Sequence, residues 1–235
     1  MLLSFHFDNY KCFSDRIDFS MVSSSKITKM IDHRMILGKN KNNSIRVMKH
    51  AAIYGANASG KSSVIQAMEY FQNTVVQGLS TFNNEQYCRN KRENASRDSL
   101  FEIRIELDGK FYAYGFKARI AETRIVEEWL VELRTGNIPV SVIFSKEENG
   151  LPVVGDGLNL STEERLRFNT YSTDFEGQEK TLFLTEMNRT KKYTKDSGLY
   201  IFKQVFDWIA KNLVLVFPLS KLSDFYACTK ESVLN

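Results

Sequence analysis

The eight residues Gly55–Ser62, GANASGKS, constrain this chain more than any other stretch. They follow the apolar run KHAAIYG at 49–55 and precede a run in which Val64, Ile65, Ala67, Met68, Phe71, Val75 and Val76 recur on one helical stripe. The spacing therefore predicts a short buried strand, a tight loop and a helix from Ser62 to about Gly78. Glycines at both ends and small residues between them let successive backbone N–H groups turn inward around a phosphate, and the new helix adds the positive end of its dipole. GxxxxGK[ST] in this strand-to-helix context is the pattern of a phosphate-binding loop. A loop that merely turned a strand into a helix would not need four fixed positions, both flanking elements and the small side chains of Ala56, Ala58 and Ser59 to agree.

The nucleotide-binding candidates are Gly55, Ala56, Asn57, Ala58, Ser59, Gly60, Lys61, Ser62 and Ser63. Lys61 is the candidate catalytic residue, expected at the β and γ phosphates. Ser62 is expected to ligate Mg²⁺ through its hydroxyl, and Ser63 to reach the α phosphate. ATP and Mg²⁺ are the cofactors so predicted. A loop of this kind also needs an acid, usually at the end of a buried apolar strand, to hold the metal's water shell and activate the attacking water. No stretch qualifies. IRIELD at 103–108 alternates like a half-exposed strand, LPVVGD at 151–156 is broken by Pro152 and Gly155, and LVLVFPL at 213–219 has no acid at its end. DFEG at 174–177 matches the DxxG of GTPases, but no NKxD follows, which disfavours a complete small GTPase or nucleotide kinase.

Around the loop, LLSFHF at 2–7 and RIDFSMV at 16–22 read as antiparallel strands joined by the turn-like DNYKCFSD, and Ser23–Ser44 as an exposed connection with little structure. After the helix the period changes to two. SLFEIRIELDGKFYAYGFKARI alternates and turns at Asp108-Gly109, and TRIVEEWLVELRTG and PVSVIFSKEENG can extend the same antiparallel meander. Residues 161–190 are predicted to be partly helical, LYIFKQVFDWIAKNL at 199–213 an amphipathic helix, and VLVFPL at 214–219 a last buried strand.

Composition sets the remaining limits. With 235 residues, 43% of them hydrophobic, the chain can bury a substantial core as one large or two small domains. No stretch approaches a membrane span, and Asp8 comes too early for a secretory signal, so a soluble cytoplasmic protein with no membrane partner is expected. Cys12, Cys88 and Cys228 are far apart and lack metal-ligand spacing, and His6, His33 and His50 carry no metal pattern either. The net charge of +4 permits a polyanionic partner without requiring one.

The order FDNYKCFSD, second strand, KHAAIYGANASGKSSVIQAM resembles the N-terminal lobe of the ABC-type ATPase heads of SMC, RecF, Rad50 and OLD proteins. It is most similar to bacterial AAA family ATPases of the OLD-like, phage-defence kind, and FEIRIELDGKFYAYGFKARIAETRIVEEWL, KTLFLTEMNRT and VFDWIAKNLVLVFPLS carry the likeness through most of the chain. The resemblance implies a mixed α/β (α+β) P-loop NTPase fold with an antiparallel β-sheet beside the P-loop core. Residues 1–80 would hold strands, P-loop and first helix, 98–160 the meander, and 161–235 a mixed helical segment and last strand. It further implies that Lys11 lies near the nucleotide and offers Gln178 as a metal-sensing glutamine. Heads of this kind continue into a second lobe with a signature helix, an apolar-Asp-Glu strand and a switch histidine, none of which precedes Asn235. The chain thus reads as half a head with the C-terminal lobe absent. It is expected to hydrolyse ATP only when completed and paired head to head, as the ATPase component of a phage-defence or DNA-maintenance system with an effector protein. The alternative is a nucleic-acid or partner-binding subunit in which ATP is structural. KNKNNSIRVMKH at 39–50, RNKRENASR at 89–97 and RTKKY at 189–193 supply the charge for DNA or RNA, though without aromatics interleaved for base stacking.

Overall fold

Alternation along the chain builds one large antiparallel sheet. In the computed structural model, which describes residues 1–24, 26, 31–40, 43–134 and 140–217, seven strands pair in the order β2-β1-β5-β6-β7-β8-β9. They are β1 (Leu2–Phe7), β2 (Ile17–Ser20), β5 (Ser99–Leu107), β6 (Lys110–Arg119), β7 (Arg124–Leu133), β8 (Ser141–Lys146) and β9 (Val153–Val154). A separate hairpin pairs β3 (Arg34–Asn40) with β4 (Asn43–Met48). The helices are α1 (Lys61–Gln77), α2 (Thr162–Asp174), α3 (Phe183–Arg189) and α4 (Tyr200–Asp207), the last continuing through one wide π turn at Trp208–Asn212. This is the mixed α/β fold with an antiparallel sheet beside the glycine loop that the sequence predicts.

The β5–β6 turn forms at Asp108 (φ 51°) and Gly109 (φ 78°), the two left-handed positions of a type I′ hairpin, and its register sets Phe101, Ile103 and Ile105 opposite Phe116, Tyr114 and Tyr112. That face receives α1. Val64, Ala67, Met68, Phe71 and Val75 are buried against it, with the Phe71 ring stacked on Phe116 at 5.6 Å and edge-on to Phe5 at 5.6 Å. Of the expected stripe, Ile65 is half-buried and Val76 is exposed. Helix α1 runs seventeen residues without glycine or proline and stops at Gly78 (φ 86°), where a Cβ would come within 2.8 Å of the Lys180 carbonyl oxygen. A second aromatic cluster, Phe144, Phe168, Phe175, Phe183 and Phe202, packs α2, α3 and α4 on the β8 end of the sheet.

Three expectations fail here. Ser23–Ser44 is not a bare connection, because β3 and the start of β4 lie within it. Leu37, Ile45 and Val47 cover the opposite side of the main sheet at Leu3, Phe111 and Leu133, and that burial stabilises the hairpin. KHAAIYG is not a buried strand: residues 51–59 are irregular and exposed, Ile53 by 41% and Tyr54 by 89%. An apolar strand needs ladder partners on its edges, and among the described residues this segment has none. Nor do residues 214–217 of VLVFPL form a strand, with Val214 and Val216 both about half exposed, while Pro218 and Leu219 lie outside the described residues, as does Cys228.

Candidate functional site

The loop is built by local backbone constraints. Ala58 (φ 62°) and Gly60 (φ 91°) take left-handed conformations, and the Ser59 N–H donates to the Ala56 carbonyl at 3.3 Å, closing a tight turn just before α1. A Cβ at Gly60 would come 2.5 Å from the Phe13 ring and 2.9 Å from Cys12 Sγ, so only glycine lets the loop seat on the turn at residues 9–14. A Cβ at Gly55 would come 2.5 Å from Ser59 Oγ. Gly60 therefore answers to a close approach and a left-handed backbone, whereas at Gly55 the near atom is the end of a side chain that can rotate away.

Lys61 bends back over the loop and donates from Nζ to the carbonyls of Gly55 (2.8 Å) and Ala56 (2.6 Å), which holds its ammonium at the centre of the turn. The start of α1 carries no side-chain cap and no acid in its first turn. The N–H groups and dipole at the helix start thus face outward beside a fixed positive charge. Ser62 is exposed, whereas Ser63 is half-buried and accepts a long bond from Cys12 Sγ at 3.6 Å. Such an arrangement can hold a polyphosphate and present one hydroxyl to its metal ion.

Lys11 stands elsewhere than at the loop itself. Its Nζ donates to Gln66 Oε1 at 2.8 Å, further along α1, and its backbone N–H donates to the Gln86 carbonyl at 2.8 Å. Cys12 and Phe13, its neighbours, are the residues that touch the loop. Gln178 lies in a different cavity of about 300 Å³ that also takes in Arg124, Lys146, Glu148 and Glu179 and no loop residue. DFEG is the end of α2, with Gly177 (φ 77°) in the left-handed conformation that follows many helices. Among the described residues no group of three or more His, Cys, Asp or Glu side chains is arranged for a metal.

Asn9 and Glu128, each at the centre of a buried hydrogen-bond cluster, carry no motif. Asn9 is fully buried at φ 46°. Its amide donates to the carbonyls of Asn94 and Arg97, both at 2.9 Å, its Oδ1 accepts from the Cys88 N–H at 3.3 Å, and its own carbonyl accepts from Ser99 Oγ at 2.8 Å. One side chain thereby ties the turn behind the loop to residues 88–99. Glu128, on β7, accepts from the Phe183 N–H (2.6 Å), the Leu184 N–H (3.0 Å) and the Tyr114 hydroxyl (2.9 Å), capping α3 from another element. Helix α3 in turn reaches α1, where Thr185 Oγ1 donates to the Val75 carbonyl at 2.6 Å. In two of the basic stretches several cations are already paired: Arg89 with Glu85, Lys91 with Glu93, Arg97 with Asp8, and Arg189 and Lys191 with Glu186.

Comparison with known proteins gives one family. The model described as "AAA domain, putative AbiEii toxin, Type IV TA system" matches residues 51–191, which begin just before the loop and run past α3. Among curated proteins nothing matches the chain.

Proposed function

Because the chain belongs to this family of AAA domains, which are P-loop ATPase modules, we propose that it binds ATP with Mg²⁺ on residues 55–63. Lys61 meets the β and γ phosphates, Ser62 supplies a hydroxyl to the metal, and Ser63 stands on the α-phosphate side. The metal contributes charge neutralisation on the phosphates. The observation that carries the reading is the uncapped, acid-free start of α1 beside an ammonium already held over the loop. Titration calorimetry with Mg-ATP should give binding in the micromolar range, and Lys61→Ala should weaken it by about 1–3 kcal/mol, the worth of a charge-assisted contact. An unchanged affinity in that variant would remove the assignment.

Hydrolysis by these residues alone is slow in this reading. In-line attack needs an acid to position water, and Lys61 with one metal supplies only part of the charge compensation. The exposed apolar segment 51–54 supports a completing second lobe, because an added strand would bury Ile53 and satisfy the segment's backbone groups. The whole is then an ATPase head that pairs with another and serves a bacterial defence or DNA-maintenance system, with nucleic acid or an effector protein as partner. The toxin–antitoxin wording of the family description and the OLD-like resemblance support that role. Turnover by the isolated chain should stay near background. Robust turnover that depends on Lys61 would place the missing acid within it.

A further inference from the structure

We propose that the cavity walled by Cys12, between the turn at residues 9–14 and residues 85–89, seats the nucleoside of the nucleotide. The inference rests on the loop holding the triphosphate. Its starting point is direction. A triphosphate laid along the loop with its γ end at Lys61 brings its α phosphate, which bears the nucleoside, to the side of Ser63. That side is walled by Cys12, whose Sγ lies 3.6 Å from Ser63 Oγ and close against Gly60. Cys12 is also a wall of a cavity of about 490 Å³ shared with Lys11, Glu85, Gln86, Tyr87 and Arg89. The volume falls within the roughly 300–1,000 Å³ of ordinary small-molecule sites.

The walls have the chemistry a base requires. Tyr87 is half-buried and packed on the core, so its ring is a fixed apolar surface of the kind on which any base stacks. Glu85 and Gln86 bring carboxylate and amide oxygens that accept from exocyclic amines and ribose hydroxyls, and Arg89 is held at 3.2 Å by Glu85. The two sides are joined rather than merely adjacent. The Lys11 N–H donates to the Gln86 carbonyl at 2.8 Å, and Asn9 fixes the Cys88 N–H. Residues 85–89 come after α1, Gly78 and the short turn at Thr81–Asn83, so the site is assembled from the segment that returns from the helix and the turn that backs the loop.

The experiment compares Mg-ATP with Mg-tripolyphosphate, which has the phosphates and no nucleoside, in calorimetry on the whole chain. ATP is expected to bind about tenfold more tightly or better, as base stacking would give. Tyr87→Leu, which keeps an apolar side chain on the core, should lower the ATP affinity toward that of tripolyphosphate and leave tripolyphosphate unchanged. Photolabelling with 8-azido-ATP, mapped by mass spectrometry, gives an answer free of any variant and should mark residues 11–12 or 85–89. Equal affinities for the two ligands, or labelling elsewhere, would overturn the inference and leave the loop assignment standing. Failure of both ligands to bind would overturn the loop assignment and the inference with it.

Discussion

Glu128→Ala should lower the unfolding free energy by roughly 3–5 kcal/mol in a urea melt at neutral pH. The carboxyl is 1% exposed, and its removal leaves the Phe183 and Leu184 amides and the Tyr114 hydroxyl without their acceptor in a site closed to water. Burial pushes the Glu128 carboxyl up to about 7, while the three donors and the charge of Lys146 pull the other way. The sign of the pH effect follows from that ordering. A folded pKa above the unfolded value of 4.5 means that the folded chain holds the proton more tightly. The associated stability is full below pH 4.5 and is lost as pH climbs through about 7, a change on the order of 3 kcal/mol. Glu128→Gln should keep part of the cap and flatten this dependence. The difference between the wild-type and Glu128→Gln profiles isolates the group from Glu164, Asp18 and Asp207, whose carboxyls are held low by hydrogen bonds from neighbouring side chains and, for Glu164, backbone amides. A difference profile that is flat, or that rises between pH 5 and 8, would refute the account.

Asn9→Ala should cost about 2–4 kcal/mol and weaken Mg-ATP binding as well, through the turn on which Gly60 is seated. The variant strips the partner from the buried Asn94 carbonyl, the Arg97 carbonyl and the Cys88 amide, and places alanine at φ 46°. Asn9→Gly separates the two causes. Glycine accepts the left-handed backbone, so it should recover only about 1 kcal/mol and leave the hydrogen-bond loss in place. Thermal melts and calorimetry on both variants give the comparison, and wild-type stability in Asn9→Ala would show that residues 88–99 hold their place without it.

Whatever depends on neighbours within a few residues was legible in the chain. The loop motif, the stripe of α1 and the Asp108-Gly109 hairpin are each a pattern of steric allowance or burial with a period of 3.6 or 2, and each formed where the residues place it. The Ser161-x-x-Glu164 capping box that starts α2 is a local signal of the same kind. Also readable in part was the β3–β4 hairpin. Met35, Leu37, Ile45 and Val47 alternate about a polar turn, but polar residues dominate the segment, and only Leu3, Phe111 and Leu133 provide the surface that makes the alternation worth forming.

Other features belong to tertiary structure because their energy is shared between distant residues. Asn9 is one asparagine among many until it meets Cys88, Asn94 and Arg97, and Glu128 is an ordinary strand glutamate until α3 brings two amides to it from 55 and 56 residues away. No composition or spacing encodes those meetings. The exposure of residues 51–54 is the converse case: their apolar character is fixed by sequence, but whether they become a strand depends on a ladder partner, since a strand's hydrogen bonds are made by another segment. Sequence alone therefore determined the loop's motif and the helix that follows it. Packing decided what surrounds it, the turn at 9–14 against Gly60 and residues 85–89 against that turn, because only the folded chain brings those segments together.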